Sequence, residues 1–428
     1  PEKIEKAACL EICFFDFSAD CYRKVQLAEK EREMKLTEET PFFFIYSVWT
    51  KNGEYREQVK RLVTDYDNYI SLKLAGDDAY LSEKMVGYPA ELDEVYAESF
   101  EEQKKEWFSC IGDGIQECRN TWEHKKWNIT DLPEFELAIT IDRPELYYDF
   151  LQKDWTRFCH DYWKNNFLEH HTLSKKRVTR IYIGNQFCHN LFPRKELLFQ
   201  VLEKALENNL AVTLAFSYIR NHLLEEIDEL LQELEVWCQS REKEAGKDQE
   251  EIIVNDWAMP ILLQGKPHLK PVLGVLLNKR RKDVRLPYKH GIGNHVDSLA
   301  ENNLNCGFYQ DYLKNTFDIQ RFEFESCGYK VTIPDGHHSL HLPFFQTNTS
   351  QYCTLYAVCR YGDRGKQKLP ENCPRYCNKK VFLYPKHLKM VGRYNSLFGY
   401  DEKILWDEKQ LQDYLEQGID RIVVNVSL

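Results

Sequence analysis

Three stretches decide the fold: Val178-Thr179-Arg180-Ile181-Tyr182-Ile183, Leu210-Ala211-Val212-Thr213-Leu214-Ala215-Phe216-Ser217, and Glu251-Ile252-Ile253-Val254-Asn255. Each has the length of a strand. Between the first two, residues 193–208 carry an amphipathic helical pattern. Between the second and third, residues 221–244 place Glu and Leu at helical spacing. Strands alternating with helices point to a parallel α/β sheet. Further strand candidates at residues 271–277, 317–325, 352–358, 380–384 and 420–426 continue the rhythm over about 250 residues, a length that suits a (β/α)8 barrel. The expected fold class is therefore α/β, with a TIM-barrel-like domain over residues 173–428.

Residues 1–172 read differently, as an α+β region to which no motif assigns a chemistry. Residues 1–36, rich in Glu, Lys and Ala, are expected to be mostly helical. Residues 42–50 form an apolar run of strand length that ends at the turn signal Asn52-Gly53. Residues 69–75 and 135–141 are two more strand candidates, and the acidic, Trp-rich stretch 79–128 is expected to be partly helical. Asp142-Arg143-Pro144-Glu145 combines an N-cap, an early proline and a first-turn acid, so a helix is expected from there to about residue 169. Its aromatic face would comprise Tyr147, Phe150, Leu151, Trp155 and Phe158, packed into the core.

The chain has 428 residues, a net charge of −11 and 43% hydrophobic residues. Such a chain can bury a large core, which excludes wholesale disorder. The negative balance argues against a protein that coats nucleic acid or anionic lipid. No apolar run long enough to span a bilayer is present, and no apolar signal core follows the N-terminus. The expected location is the cytoplasm, without a membrane. In that setting the fourteen cysteines are expected to be thiols rather than a disulfide scaffold.

The densest chemical signal is Cys353-x5-Cys359-x13-Cys373-x3-Cys377. Several thiolates in one loop region suit a tetrahedral zinc or an iron–sulfur cluster, because both favour soft sulfur ligands. A structural zinc site typically shows two tight pairs, so the uneven spacing favours a cluster; several buried structural thiols are the alternative. Cys188 lies just beyond the strand at 178–183, at the end where α/β barrels keep their active sites, and is a fifth candidate ligand. Four of Cys188, Cys353, Cys359, Cys373 and Cys377 are expected to ligate. Cys9, Cys13 and Cys21 near the N-terminus read as a core stripe rather than as a second metal site.

Asp256 also follows a strand, as a catalytic carboxylate or as the N-cap of the next helix. The run Lys279-Arg280-Arg281-Lys282-Asp283-Val284-Arg285 is the strongest positive block. It is either a solvated loop or a binding surface for phosphate, carboxylate or RNA. His337, His338 and His341 read as a polar loop entering a strand, and Gly291-Ile292-Gly293 is too short for a dinucleotide fingerprint. With no nucleophile elbow, H-E-x-x-H or P-loop, hydrolase and nucleotide-driven classes lose support.

Residues 173–428 resemble the collagenase-like peptidase family, most closely its iron–sulfur branch of oxygen-independent ubiquinone and RNA hydroxylation proteins. Three places carry the resemblance. Arg180 through Cys188 is similar to the family's first strand. Ile253-Val254-Asn255-Asp256-Trp257-Ala258 is similar to its V-N-D-W-G strand end, with Ala258 in place of glycine. Cys359, Cys373 and Cys377 resemble the late cysteine group, and Cys353 with Cys359 resembles a paired-cysteine variant of it. The resemblance implies a barrel holding a [4Fe–4S] cluster and a hydroxylase-type modification of a small molecule, RNA or peptide. It also implies a heterodimer with a related chain as a possible assembly. A non-catalytic iron–sulfur scaffold and a peptidase are the other readings.

Overall fold

The computed structural model of the chain describes residues 9–16, 21–39, 44–60, 100–108, 132–245, 250–280, 282, 284, 300–363, 365–366, 368–370, 372–384 and 389–426. Two compact units result, one of residues 1–90 with 287–296 and one of residues 91–286 with 297–428.

In the first unit, β1 (Cys9–Asp16) pairs antiparallel with β2 (Cys21–Ala28), and β3 (Arg32–Glu39) pairs antiparallel with β4 (Phe44–Thr50). The helix expected over residues 1–36 is thus replaced by hairpin strands. Composition suggested helix, but periodicity favours strand: Glu33, Lys35 and Thr37 are exposed and alternate with the half-buried Met34 and Leu36, a period of two.

The second unit is a (β/α)8 TIM-barrel-like domain. Its strands run in order as β5 (Glu136–Ile141), β6 (Arg180–Gly184), β7 (Ala211–Ala215), β8 (Glu250–Val254), β9 (Leu269–Leu273), β10 (Glu323–Glu325) and β11 (His338–Leu342). The chain then makes an antiparallel excursion through β12 (Phe344–Thr349), β13 (Phe382–Leu383), β14 (Met390–Arg393) and β15 (Ser396–Tyr400). It returns as β16 (Ile419–Val424), which lies between β11 and β5. All pairings of the eight-stranded sheet are parallel. Its two ends meet at a parallel bridge between Leu273 and Phe322, where Leu273 N–H donates to Arg321 O at 3.0 Å. The first barrel strand is therefore Glu136–Ile141, and the barrel begins before residue 173. Helices Lys195–Glu207 and Leu224–Ala245 occupy the expected crossovers.

Other expectations shift for local reasons. The helix expected from 144 to about 169 is two helices, Pro144–Gln152 and Trp155–Asn165. They are separated where the Asp154 carboxylate accepts from Arg157 N–H and caps the second. Its aromatic residues do pack together, with Phe150 edge-on to Phe158 at 5.3 Å. Residues 352–358 form not a strand but most of helix Thr354–Tyr361, which Cys353 caps and Gly362 ends at φ +64°. Residues 317–325 contribute only the short β10, because helix Gly307–Phe317 ends at the left-handed Asp318. The histidine-rich stretch does enter a strand, but sooner than expected: His337 is in the loop, and His338 and His341 belong to β11, His338–Leu342, which is buried throughout. Residues 69–75 and 109–128 lie outside the described residues, while Phe100–Phe108 is helical as expected. Among the described residues, no helix is long and apolar enough to cross a membrane.

The barrel interior is layered. Ala138, Tyr182, Ala215, Ile253, Val272 and Val423 form its apolar middle. Beside it lies a charged network: Arg421 holds Glu251 through two bonds of 2.6 and 3.0 Å and Glu136 at 2.6 Å, and Arg180 reaches the same two carboxylates. Burial works against charge on Glu251, yet Arg180 and Arg421 hold its pKa at about 2.

Candidate functional site at the strand C-termini

The site is built on turns that leave the upper ends of the strands. After β6 the chain must reverse sharply. Gly184 adopts φ +107°, and a Cβ there would lie 2.6 Å from Ala215 O, so only glycine fits. The Asn185 side-chain oxygen then accepts from Phe187 N–H and Cys188 N–H, both at 2.9 Å, which fixes Cys188 above the barrel. After β8, Asn255 and Asp256 join neighbouring strand ends. The Asn255 amide donates to Phe216 O at 2.7 Å, and its oxygen accepts from Leu276 N–H at 3.2 Å. Gly274 leaves room for that side chain, since a Cβ at 274 would lie 2.1 Å from the Asn255 oxygen.

The Asp256 carboxylate accepts from Ala258 N–H at 2.9 Å, from Met259 N–H at 3.2 Å and from Ile219 N–H. These bonds open the helix Ala258–Leu262 and tie it to the loop after β7. Asp256 lines neither of the two large cavities described below.

The excursion β12–β15 leaves the upper end of β11 and carries the late cysteines. Cys353 Sγ donates to Tyr394 O at 3.0 Å and accepts from Tyr356 N–H at 3.3 Å. Cys377 is buried in the turn Tyr376–Asn378, and its carbonyl accepts from both Arg393 Nε and Nη2. Cys188, Cys353, Cys373 and Cys377 are free thiols that act electrostatically on one another. Burial pushes Cys188 up to about 11, and the charge of Cys373 adds to the rise. Burial pushes Cys377 up to about 12, and Cys188 and Cys373 add to it. Cys353 is raised well above its ordinary value by burial and then by Cys188, Cys377 and Cys373. Cys359 lies on helix Thr354–Tyr361 and packs, half-buried, against the core.

Among the described residues no group of three or more His, Cys, Asp or Glu could hold a metal ion as it stands. The donor set does match soft-metal chemistry. Cys188 and Cys373, from two parts of the chain, each lie within electrostatic reach of Cys377 and Cys353 and disfavour their ionisation, an effect that a bound cation would reverse.

Two cavities lie at the strand-end face, and Cys373 lines the first of them. The first, about 440 Å³, is lined by Cys373, His189, Ser217, Arg375 and the helix residues Glu226 and Glu233, among others. Burial, with Arg220 and His222 adding, lowers the His189 pKa to about 4, so this imidazole is neutral near pH 7. The second, about 430 Å³, lies over the ends of β8 and β9 and is lined by Asn278, Lys279, Arg280, Lys282 and residues 346–351. Tyr218 lines the second cavity, donates to Gln351 O at 2.9 Å and lies within electrostatic reach of Cys188. Lys279, Arg280 and Lys282 of the positive run therefore border a cavity of their own, while Arg281, Asp283 and Arg285 lie outside the described residues.

Sequence reasoning missed the polar groups inside the barrel. His341 Nε2 bonds Glu323, and Tyr182 donates to the same carboxylate at 3.1 Å. Alternation flags Glu323 and Glu325 within the strand expected at 317–325, and would have flagged Ser339 and His341 had residues 338–342 been read as a strand. Comparison of the chain with protein-family models, with curated proteins and with solved structures finds no match.

Proposed function

We propose that this chain is an iron–sulfur protein of oxygen-independent, hydroxylase-type modification, with a [4Fe–4S] cluster held by Cys188, Cys353, Cys373 and Cys377. The observation that supports this reading is the electrostatic reach of Cys188 and Cys373 to Cys353 and Cys377 at the strand-end face of a barrel. Bound there, a cluster would supply one-electron transfer. The chain's own residues would do the rest. Arg393, bonded to the Cys377 carbonyl, would hold that ligand turn in place. The neutral His189 beside Cys373 in the first cavity would accept a proton from a bound substrate. The substrate would be a small molecule, an RNA base or a peptide. A related chain would be the partner, and the cytoplasm the site of action.

A second reading has one observation in its favour. Four thiol ligands leave no open coordination position on iron, which suits electron transfer or structure better than direct substrate activation. On that reading this chain is the scaffold, and a partner chain does the chemistry.

Anaerobic purification with iron and sulfide assay tests both readings. About four irons and four sulfides per chain are expected, falling to background in Cys353→Ala and Cys373→Ala and retained in Cys359→Ala. Stoichiometric zinc without sulfide would refute the cluster. Iron retained in Cys353→Ala and lost in Cys359→Ala would transfer the fourth place to Cys359.

A further inference from the structure

Among the described residues, the wall of the second cavity carries more buried positive than negative charge. The Arg280 and Lys282 side chains are 2% and 7% exposed, and both lean on one carboxylate, Glu325, itself 3% exposed. Lys282 contacts it directly, and Arg280 Nη2 is 3.9 Å away. Arg280 Nη1 also lies 2.8 Å from Cys327 Sγ, but burial raises that thiol's pKa, so it offers a dipole and not a charge. Asp401, a further acid near Cys327, is likewise raised by burial. Lys279, exposed at the same wall, has no ion pair among the described residues. Two buried cations facing one anion are costly unless a further negative charge arrives.

Two polar atoms in the same wall are also unsatisfied. Arg280 Nε–H, a donor, and Asn278 Oδ1, an acceptor, are buried without a partner. The Asn278 amide nitrogen donates to Glu323 O at 3.1 Å, which fixes the oxygen on the other side of the side chain. Each such orphan forfeits a hydrogen bond it made to water in the unfolded chain, so a native structure keeps them where something else fills the need. Lys282 has no donor left over, because its ammonium already contacts Glu325, Gln346 Oε1 and Val275 O.

We infer that this cavity binds a small hydroxylated oxyanion: Lys279 Nζ and Arg280 Nε hold its carboxylate or phosphate, and its hydroxyl donates to Asn278 Oδ1. The volume, about 430 Å³, is that of a small-metabolite site. The chain as a whole carries −11, so long-range attraction does not collect anions here, and retention depends on these contacts. The inference does not use the reading of the thiol group, whose nearest described link to the cavity is Tyr218.

Isothermal titration of the full chain, prepared anaerobically, with four probes tests it. L-Malate carries a hydroxyl and carboxylates, glycerol 3-phosphate a hydroxyl and a phosphate, succinate carboxylates alone, and glycerol hydroxyls alone. Saturable binding is expected for malate or for glycerol 3-phosphate, and whichever is tighter identifies the oxyanion. Succinate should bind about tenfold more weakly than malate, and glycerol not at all, since each lacks one half of the match. Lys279→Gln, at an exposed position that folding does not need, should weaken the bound probe about tenfold. Absence of saturable heat for both hydroxylated anions at millimolar concentration would overturn the inference. So would undiminished affinity in a folded Lys279→Gln protein. The readout is binding heat and not iron content, so failure here and failure of the cluster reading are separately visible.

Discussion

Removing the charge of Glu251 should reshape how the barrel responds to acid. The carboxylate is buried between Arg180 and Arg421, which hold its pKa at about 2 against an ordinary value of 4.5. A group whose folded pKa is depressed contributes stability above its unfolded pKa and loses it as pH falls toward the folded one. The interval from 4.5 to about 2, at about 1.4 kcal/mol per pH unit, amounts to roughly 3 kcal/mol. Glu251→Gln keeps the volume and some hydrogen bonding but abolishes this titration. It also leaves Arg421, a side chain 3% exposed, with Glu136 as its remaining carboxylate. At pH 7 the variant should be less stable by about 3 kcal/mol or somewhat more, because it strands part of a buried charge. The gap should close progressively between pH 4.5 and 2. Urea unfolding of both proteins at several pH values, followed by near-ultraviolet circular dichroism, measures that gap. A gap that stays constant down to pH 2 would show that Glu251 is not held ionised by the arginines, and the account of the barrel's charged interior would fail.

Three further outcomes follow from other residues. Gly274→Ala should lower the melting temperature by several degrees, corresponding to roughly 1–3 kcal/mol, because its methyl meets the oxygen of the Asn255 side chain, which joins the end of β7 through its nitrogen to the turn after β9 through its oxygen; an unchanged melting curve would show that the turn repacks freely. Burial lowers the Lys104 pKa to about 7, so the unfolded chain binds the extra proton from pH 7 to 10.5 and stability should rise with pH across that window. Lys104→Met should flatten the rise, and equal slopes in both proteins would contradict it. In iron-free protein at pH 8, iodoacetamide should label the exposed Cys306 well before Cys159, Cys238 and Cys377, which burial pushes to about 12; simultaneous labelling by peptide mapping would count against the described burial.

The barrel was legible in the sequence where strand and helix patterns are local. The run from Arg180 to Asn255 contains three strands and two crossover helices of ordinary length, and their periodicities do not depend on the rest of the chain. Legibility failed where a polar residue faces inward. His338, Ser339 and His341 look like a loop until barrel closure sets them beside Glu323, Tyr182 and Arg421. It failed again at Glu136–Ile141, seen as a strand but not as the barrel's first, because pairing with β16 is a contact across almost 300 residues. At the candidate site, spacing singled out the late cysteines, and strand-end position singled out Cys188 and Asp256. Neither signal indicates that the Asp256 carboxylate is taken up by backbone N–H groups, nor which thiols come within electrostatic reach of one another across the fold. Both depend on where an excursion of some 60 residues lands.

The closure of the barrel has a mechanical consequence. Seven of its junctions are laddered pairings, whereas β9 and β10 meet through a single bridge at Leu273 and Phe322. A cylinder with one short junction has a seam, and slow breathing concentrates there. Above that seam the chain is laced by side chains: Lys282, leaving β9, grips Glu325 of β10, and the other oxygen of that carboxylate accepts from Gln346 N–H of β12 at 2.7 Å. Amide hydrogens flanking Leu273 should therefore exchange faster than those of β5 and β6 at the opposite wall. Whatever occupies the cavity beside Lys282 acts on the stave joint of the barrel, so occupancy and rigidity of the cylinder rise together.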